Sequence, residues 1–469
     1  MKSGLLNKAL NAVSFSDRLM LIMSVFTVTF FIYKDFDIRM LFGYGLLCVF
    51  LLLHFLRRLV FKKALLMPSA SEGIFFVIIA TIFLTFLRPA SRHDADTMVY
   101  VMSMIICAGF LLFMEPNKKE YNNVFRVFII AALIFSGFVI FFAFFEELFW
   151  QGYFPILSRA SKTYLLKYVN RGYSPALGGS FTLTDYVIML GVASVVGGML
   201  AKKQKGIKEI SPLVLIAVFI LAILFVGRRG ELLSIGFTVV FVYFVTQNKK
   251  QLLIKLFALL ALLIFAVVIF IIFLDELKQI SFLSRYVMTI EDILSGEDTS
   301  SGRVELYGIA LSIFLKNPLF GIGWGSFSEH VPAEFHKLHG DAVADVHNIY
   351  LQFLCEIGIV GTALVLIPII YIFVKTVSQT SRLYKNNERS EEIVLAARLN
   401  GISLTIQTFF LTVGFLDPCF SKNIFWCFFV ISVKMLSSAT RLEKHEETDR
   451  FALFFKKTVA AAVNRVKSK

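Results

Sequence analysis

Two adjacent arginines, Arg228 and Arg229, sit in Val226-Gly227-Arg228-Arg229-Gly230-Glu231, a turn that joins two apolar runs with almost nothing between them. Placing a guanidinium at a membrane edge is costly and commonly marks a function. Its planar fork gives paired hydrogen bonds to phosphate and stays protonated. The plainer reading is two arginines with stems in lipid and heads at headgroup level. Arg303 follows in Ser300-Ser301-Gly302-Arg303-Val304-Glu305-Leu306-Tyr307, which runs into a helical stretch ending near Leu315. Ser301 or Gly302 can cap that helix, although Glu305 is one place late for a capping box. Arg303 then falls in the first turn, where free backbone N–H groups favour an anion. A surface arginine on an amphipathic helix fits the spacing equally well.

His347 lies in Ala344-Asp345-Val346-His347-Asn348-Ile349-Tyr350, where a long polar loop re-enters an apolar run. An imidazole there suits base work, with Asp345 or another carboxylate to orient it. A histidine that caps or packs at the interface is the alternative. His330, His336, His339 and His347, with Asp341 and Asp345 nearby, invite a metal reading, but their spacing matches no HExxH or compact zinc pattern, so no metal site is assigned. Asn317-Pro318-Leu319-Phe320-Gly321-Ile322-Gly323-Trp324-Gly325 is a weak nucleotide signal, since it neither follows a strand nor opens a Rossmann unit. It reads as a turn that folds the loop back onto the rest of the chain. Arg171 and Tyr173, in Arg171-Gly172-Tyr173-Ser174-Pro175, combine a cation and an aromatic ring on flexible backbone, a mix that suits a sugar or an ordinary connection.

The elements that must position these residues are apolar helices. Of the 469 residues, 57% are hydrophobic and 17% charged, and 52 are Phe. Soluble domains are nearer about 45–50% apolar and about 25% charged, which excludes soluble, disordered and disulfide-scaffold classes. Continuous apolar runs rather than short alternating ones exclude a membrane barrel. The expected fold is an all-α polytopic membrane protein with about 12 transmembrane helices, over 18–33, 38–56, 72–87, 97–114, 124–145, 181–200, 211–227, 230–247, 255–274, 350–374, 396–415 and 422–438. Pro368 is a possible kink in the tenth. The first run reads as a span rather than a cleavable leader.

The net charge of +14 sits in short connections between the runs, where it sets topology rather than binding nucleic acid. With both termini cytoplasmic, the basic clusters at 57–63, 118–119, 202–208, 249–255 and 375–385 and in the tail all face the cytoplasm. Two long segments, about 146–180 and about 275–349, then lie outside, the second before helix 10. Loops of that length are uncommon without a role. The tail at 451–464 reads as an interfacial helix or a solvated end. The five cysteines form no CxxC, so neither a disulfide framework nor a Cys metal site is suggested.

Together, Gly302-Arg303, Asn317-Pro318-Leu319-Phe320-Gly321-Ile322-Gly323, His347-Asn348-Ile349-Tyr350-Leu351-Gln352 and Glu356-Ile357-Gly358-Ile359-Val360-Gly361 resemble the core of the O-antigen ligase and polymerase superfamily, over about 211–415. Arg229-Gly230 matches that family's basic turn before the large loop. Where the family usually has Ser before the Arg, this chain has Arg228, and Tyr307 stands where it usually has Trp.

The resemblance implies a C-type membrane glycosyltransferase fold, with N-terminal helices over 1–210, the family core over 211–438 and a cytoplasmic basic tail over 439–469. It also implies a metal-independent, inverting glycosyltransferase of the plasma membrane that needs no cofactor, with its site on the extracytoplasmic side. The implied donor is a glycan on undecaprenyl pyrophosphate. His347 would be the catalytic base, Arg229 and Arg303 would hold pyrophosphate with Arg228 beside them, and Arg171 and Tyr173 would contact the glycan. Polymerisation of lipid-linked repeat units into O-antigen, capsule or exopolysaccharide is the preferred reaction, ligation of finished glycan to lipid A core or another acceptor the alternative, and polysaccharide transport a minor one. A chain-length regulator and a flippase of the same pathway are the implied partners, together with the lipid bilayer.

Overall fold

The computed structural model describes residues 69–91, 118–157, 159–169, 173–177, 181–202, 210–246, 268, 271–273, 281–295, 302–335, 345–385, 390–417, 419 and 425–444. Among them the regular elements are helices. They are α1 (Ala70–Phe86), α2 (Lys118–Phe144), α3 (Arg159–Val169), α4 (Phe181–Lys202), α5 (Ile210–Val226), α6 (Arg229–Val245), α7 (Ser281–Ser295), α8 (Arg303–Lys316), α9 (Ile349–Lys385), α10 (Glu391–Val413) and α11 (Phe425–Lys444). Between α2 and α3 the chain makes a short helix, a π-turn over Phe149–Tyr153 and a 3-10 turn over Phe154–Ile156.

Five described helices, α2, α4, α9, α10 and α11, are long and apolar enough to cross a membrane, and α1 and most of α5 are shorter apolar helices. Eight of the expected spans thus have helical counterparts. Those at 18–33, 38–56 and 97–114, almost all of 255–274, and the tail at 451–464 lie outside the described residues.

One hydrophobic core runs from α1 to α11. Its centre is the α4–α10 pair, because each helix is small where the other crosses. A Cβ on Gly197 would come 2.5 Å from Ile402 and 2.7 Å from the carbonyl of Arg398, and one on Gly401 would come 3.1 Å from the Cα of Gly197. Without hydrophobic drive between helices in lipid, such close backbone contact and buried polar bonds are what hold a bundle together. The polar bonds are present: Asn400 donates to the Thr376 carbonyl at 2.9 Å and Thr380 Oγ1 at 2.6 Å, and Ser403 donates to the Ser432 carbonyl at 2.8 Å. At the same end of the bundle, Glu72 closes a capping box with Ser69 at the start of α1 and binds Lys434 and Arg441, each at 3.0 Å.

The unusual element is α9. Pro368 is accommodated inside it, and the non-helical residue is Gly358 (φ 68°, ψ −176°), ten residues earlier than the expected kink. A break there frees the carbonyls of Cys355 and Glu356 and the amides of Ile359 and Val360. The segment after α8 takes up all four. Ile322 N donates to Cys355 O at 3.0 Å and Gly323 N to Glu356 O at 2.8 Å, while Ile359 N donates to Pro318 O at 2.8 Å and Val360 N to Leu319 O at 3.2 Å. The two backbones approach so closely that a Cβ on Gly358 would lie 2.3 Å from the Leu319 carbonyl oxygen, and one on Gly321 2.4 Å from the Glu356 carbonyl carbon. The turn after α1 closes over the loop, with Arg88 donating to the carbonyls of Phe320 and Gly321, Trp324 N donating to Ser91 Oγ at 3.1 Å and Ser326 Oγ to Ala90 O at 2.8 Å. The Pro-Gly segment is therefore the fold-back turn the sequence suggests.

Gly358→Ala should destabilise the protein. The dihedral region is essentially restricted to glycine, which costs about 1–3 kcal/mol before any clash. The thermal midpoint of purified protein in detergent should fall measurably, and an unchanged midpoint would refute the backbone exchange.

Candidate active site

The α5–α6 connection is two residues long. Gly227 takes φ 81°, and Arg228 caps α6 with extended backbone so that Arg229 is its first residue. Adjacent in sequence, the two arginines have different surroundings. Arg228 Nη1 lies 2.9 Å from Asp185 Oδ2 and donates to Thr182 Oγ1 at 3.1 Å. Its Nη2 donates to Asp417 Oδ2 at 2.8 Å and meets Glu231. Asp185 is fully buried, and Glu231 and Asp417 nearly so. Three carboxylates on one guanidinium make Arg228 a pin between the starts of α4 and α6 and the end of α10.

Arg229, half-buried, donates to Thr289 Oγ1 of α7, and Tyr286 of α7 donates to the carbonyl of Leu224 at 3.2 Å, fixing α7 over the turn. Arg303 is also the first residue of its helix, α8, after a left-handed Gly302 (φ 79°), which is the cap the sequence offered as one of two. Its Nη1 donates to the carbonyl of Leu416 at 3.0 Å, and it has no carboxylate partner among the described residues. Both arginines thus stand at helix N-termini, where unpaired amides and the helix dipole favour negative charge.

His347 is the one described non-glycine residue with positive φ, at 58°. Such backbone persists where the surroundings over-determine it, and it clusters at functional sites. Here the surroundings do so from both sides. Tyr307 of α8 donates to the His347 carbonyl at 3.4 Å. Asn348 caps α9, its Oδ1 accepting from Tyr350 N at 3.0 Å and Leu351 N at 3.2 Å. One turn on, Gln352 Nε2 bridges Asp345 Oδ1 at 3.2 Å and Glu356 Oε1 at 3.3 Å, and Glu356 accepts from the amides of Gly325 and Phe327. Of the other carboxylates in these motifs, Glu231 is on Arg228 and Glu305 is exposed on α8, while Asp341 lies outside the described residues.

A short segment that the sequence reading passed over joins these parts. After α10, Gly414–Asp417 supplies the Gly414 carbonyl to Ile349 N at 2.9 Å, the Phe415 ring against Tyr350 with centroids 4.5 Å apart, the Leu416 carbonyl to Arg303 and the Asp417 carboxylate to Arg228. Leu416 also covers Gly230, where a Cβ would come within 3.3 Å. An aspartate directly after an apolar span was the available signal.

Tyr173 packs on Phe181, centroids 5.3 Å apart, in an aromatic group with Phe138, Phe149, Trp150 and Phe154 that abuts Phe225 and Val226 beside the arginine turn. Arg171, His336 and His339 lie outside the described residues. His330 Nδ1 is 2.9 Å from the Ser326 carbonyl. Among the described residues, no group of three or more His, Cys, Asp or Glu is placed to share a metal ion.

The fold and site define an α-helical membrane protein with two helix-terminal arginines and a strained histidine gathered at one end of its bundle. Residues 212–366, about a third of the chain, match the family model for O-antigen ligase, and the match supports the O-antigen ligase and polymerase superfamily. No curated protein matches the chain. The matched stretch contains Arg228, Arg229, Arg303 and His347, whereas Thr182, Asp185 and Gly414–Asp417 lie outside it.

Arg228→Met should unfold or severely destabilise the protein, because three buried carboxylates lose their counter-charge and breaking a buried pair costs about 3–5 kcal/mol. Arg303→Met should lower the thermal midpoint far less. Detergent melts of the two variants side by side test the assignment, and equal losses would contradict it.

Proposed function

We propose that the protein is an inverting glycosyltransferase that polymerises oligosaccharide repeat units carried on undecaprenyl pyrophosphate, on the outer side of the plasma membrane. The observation that carries this reading is the convergence of Arg303, the Arg228–Arg229 turn and the His347 approach on the single segment Gly414–Asp417. The resemblance supplies the reaction class, and the family match points to glycosyl transfer.

The chemistry follows from the groups present. His347 takes the proton from an acceptor sugar hydroxyl as its oxygen attacks the anomeric carbon. The bond from that carbon to the pyrophosphate oxygen breaks, and attack opposite the leaving group inverts the centre. Negative charge grows on the lipid pyrophosphate as it departs. Arg229 and Arg303, each at a helix N-terminus, stabilise it where it develops, and such preorganised donors are worth roughly 3 kcal/mol apiece. Arg228 keeps the turn in place rather than touching substrate. Tyr173, in the aromatic group beside the turn, and Arg171 are placed in this reading on the path of the glycan.

The outward orientation is supported by the lysine- and arginine-bearing stretches at 375–385 and 441–444, which belong to the end of the bundle opposite Arg229. A chain-length regulator and a flippase would act with the enzyme. Ligation of finished glycan is the second reading, favoured by the description of the matching family as O-antigen ligase.

In cells lacking the protein, single repeat units should accumulate on the lipid carrier, and the wild-type gene should restore long polymer. Arg229→Met and Arg303→Met should each lower transfer by about 10²-fold or more, and His347→Ala by about 10²–10⁴-fold, as read from lipid-linked glycans on gels. Full-length polymer stranded on the carrier would identify a ligase. Full activity of His347→Ala would remove the base and reopen transport.

A further inference from the structure

At the end of the bundle away from the active site, several cations are paired with carboxylates. Lys434 and Arg441 bind Glu72, and Arg382 binds Glu443 at 2.6 Å. Lys375 donates to Ser71 Oγ at 2.8 Å, and Arg126 of α2 and Arg398 of α10 stand apart from these groups. Arg398 reaches across to α2, where its Nη1 donates to Asn122 Oδ1 at 3.2 Å and its guanidinium carbon sits 4.1 Å from the centroid of the Phe125 ring. Its Nε is buried without a hydrogen-bond partner. Arg126, exposed, is one turn beyond Asn122 and near enough for its charge to oppose that of Arg398. Among the described residues neither has a carboxylate partner. Two neighbouring cations, one of them exposed, with no described carboxylate between them call for an anion from outside the chain.

The surface beside them says which kind. From Arg126, exposed Ile130, Leu133, Ile134, Gly137 and Phe141 follow along one face of α2. At 1.5 Å per residue that stripe is about 22 Å long, and its first part, to Gly137, is about 16 Å, which matches the roughly 15 Å that one leaflet contributes to a hydrocarbon core of about 30 Å. A phosphate anchor at the head of an apolar stripe fits a lipid rather than a soluble anion. We infer that Arg126 and Arg398 form a binding site for the phosphate of an anionic phospholipid whose acyl chain lies along Ile130 to Gly137. The site is on the face of the membrane opposite the catalytic arginines, so its occupant is a bilayer lipid and not the glycan donor.

The test uses the full chain in phosphatidylcholine nanodiscs, with and without phosphatidylglycerol. Retained lipid is counted by native mass spectrometry and the thermal midpoint is recorded. Wild type should retain phosphatidylglycerol preferentially and melt higher in its presence. Arg126→Gln, which removes an exposed side chain, should weaken that preference while the protein melts as before in phosphatidylcholine alone. The double variant R126Q/R398Q should lose the preference by about thirtyfold, equivalent to about 2 kcal/mol at about 1 kcal/mol per cation. R382Q, which removes a paired cation at the same end, should keep it. A phosphatidylglycerol preference undiminished in both Arg126→Gln and R126Q/R398Q would overturn the site. The same midpoint shift with inorganic phosphate alone would overturn the lipid assignment.

Discussion

A polypeptide crossing lipid must satisfy its own backbone, since no water is there to do so. At Gly358 the helix that carries Gln352 and Glu356 gives up its internal bonds, and the loop after α8 restores them from outside, two amides given and two carbonyls supplied. This exchange fixes the loop to α9 in a single register. Glu356 can then take the amides of Gly325 and Phe327, and Gln352 can bridge Glu356 to Asp345, two residues before His347. The position of the histidine is therefore set by a chain of bonds that begins at a broken helix. A continuous helix would leave the loop no unpaired backbone to dock on.

The second constraint is electrostatic. One guanidinium at the α5–α6 turn faces three nearly dry carboxylates drawn from α4, α6 and the end of α10. Such a cluster contributes little net stability, because desolvating the charges offsets most of their attraction. Its value is geometric. Arg228 cannot move without abandoning buried charge, so the first turn of α6 is held and Arg229 is presented from a fixed backbone. Asp417 belongs to the same four-residue segment whose Leu416 carbonyl receives Arg303. The two helix termini are thus referred to one another through the chain between them, 414–417, rather than by direct contact.

The sequence revealed the helices more readily than the site. The expected spans 181–200, 211–227 and 230–247 correspond to α4, α5 and α6 with ends differing by two residues or fewer, because a long apolar run bounded by charge or glycine has few other readings. The break at Gly358 was hidden for the same reason. Its glycine is one that a continuous apolar helix would also tolerate, and the break exists only because a distant segment supplies the missing bonds. Pro368 was the visible irregularity, yet the bundle absorbs it. Arg228 and Arg229 were indistinguishable as neighbours of identical chemistry. What separates them is Asp185, 43 positions before Arg228, and Asp417, 189 positions after it, and no periodicity reports such pairing.

This distribution bears on how the proposed reaction centre is built. The residues proposed for base and pyrophosphate roles, His347, Arg229 and Arg303, fall within 212–366, the stretch that matches the family. The residues that fix their geometry come largely from outside it, from Thr182 and Asp185 before it and Gly414–Asp417 after it, with Arg88 and Ser91 holding the glycine loop from α1. A catalytic stretch can keep its side chains while the helices around it differ, provided those helices still deliver a counter-charge to the turn and a carbonyl to the second arginine. The requirement is for acceptors at two points in space, and any helix end that reaches them can meet it. Variation among such proteins should then concentrate in the flanking helices, with carboxylates and capping residues at the active-site end as the parts that must be replaced in kind.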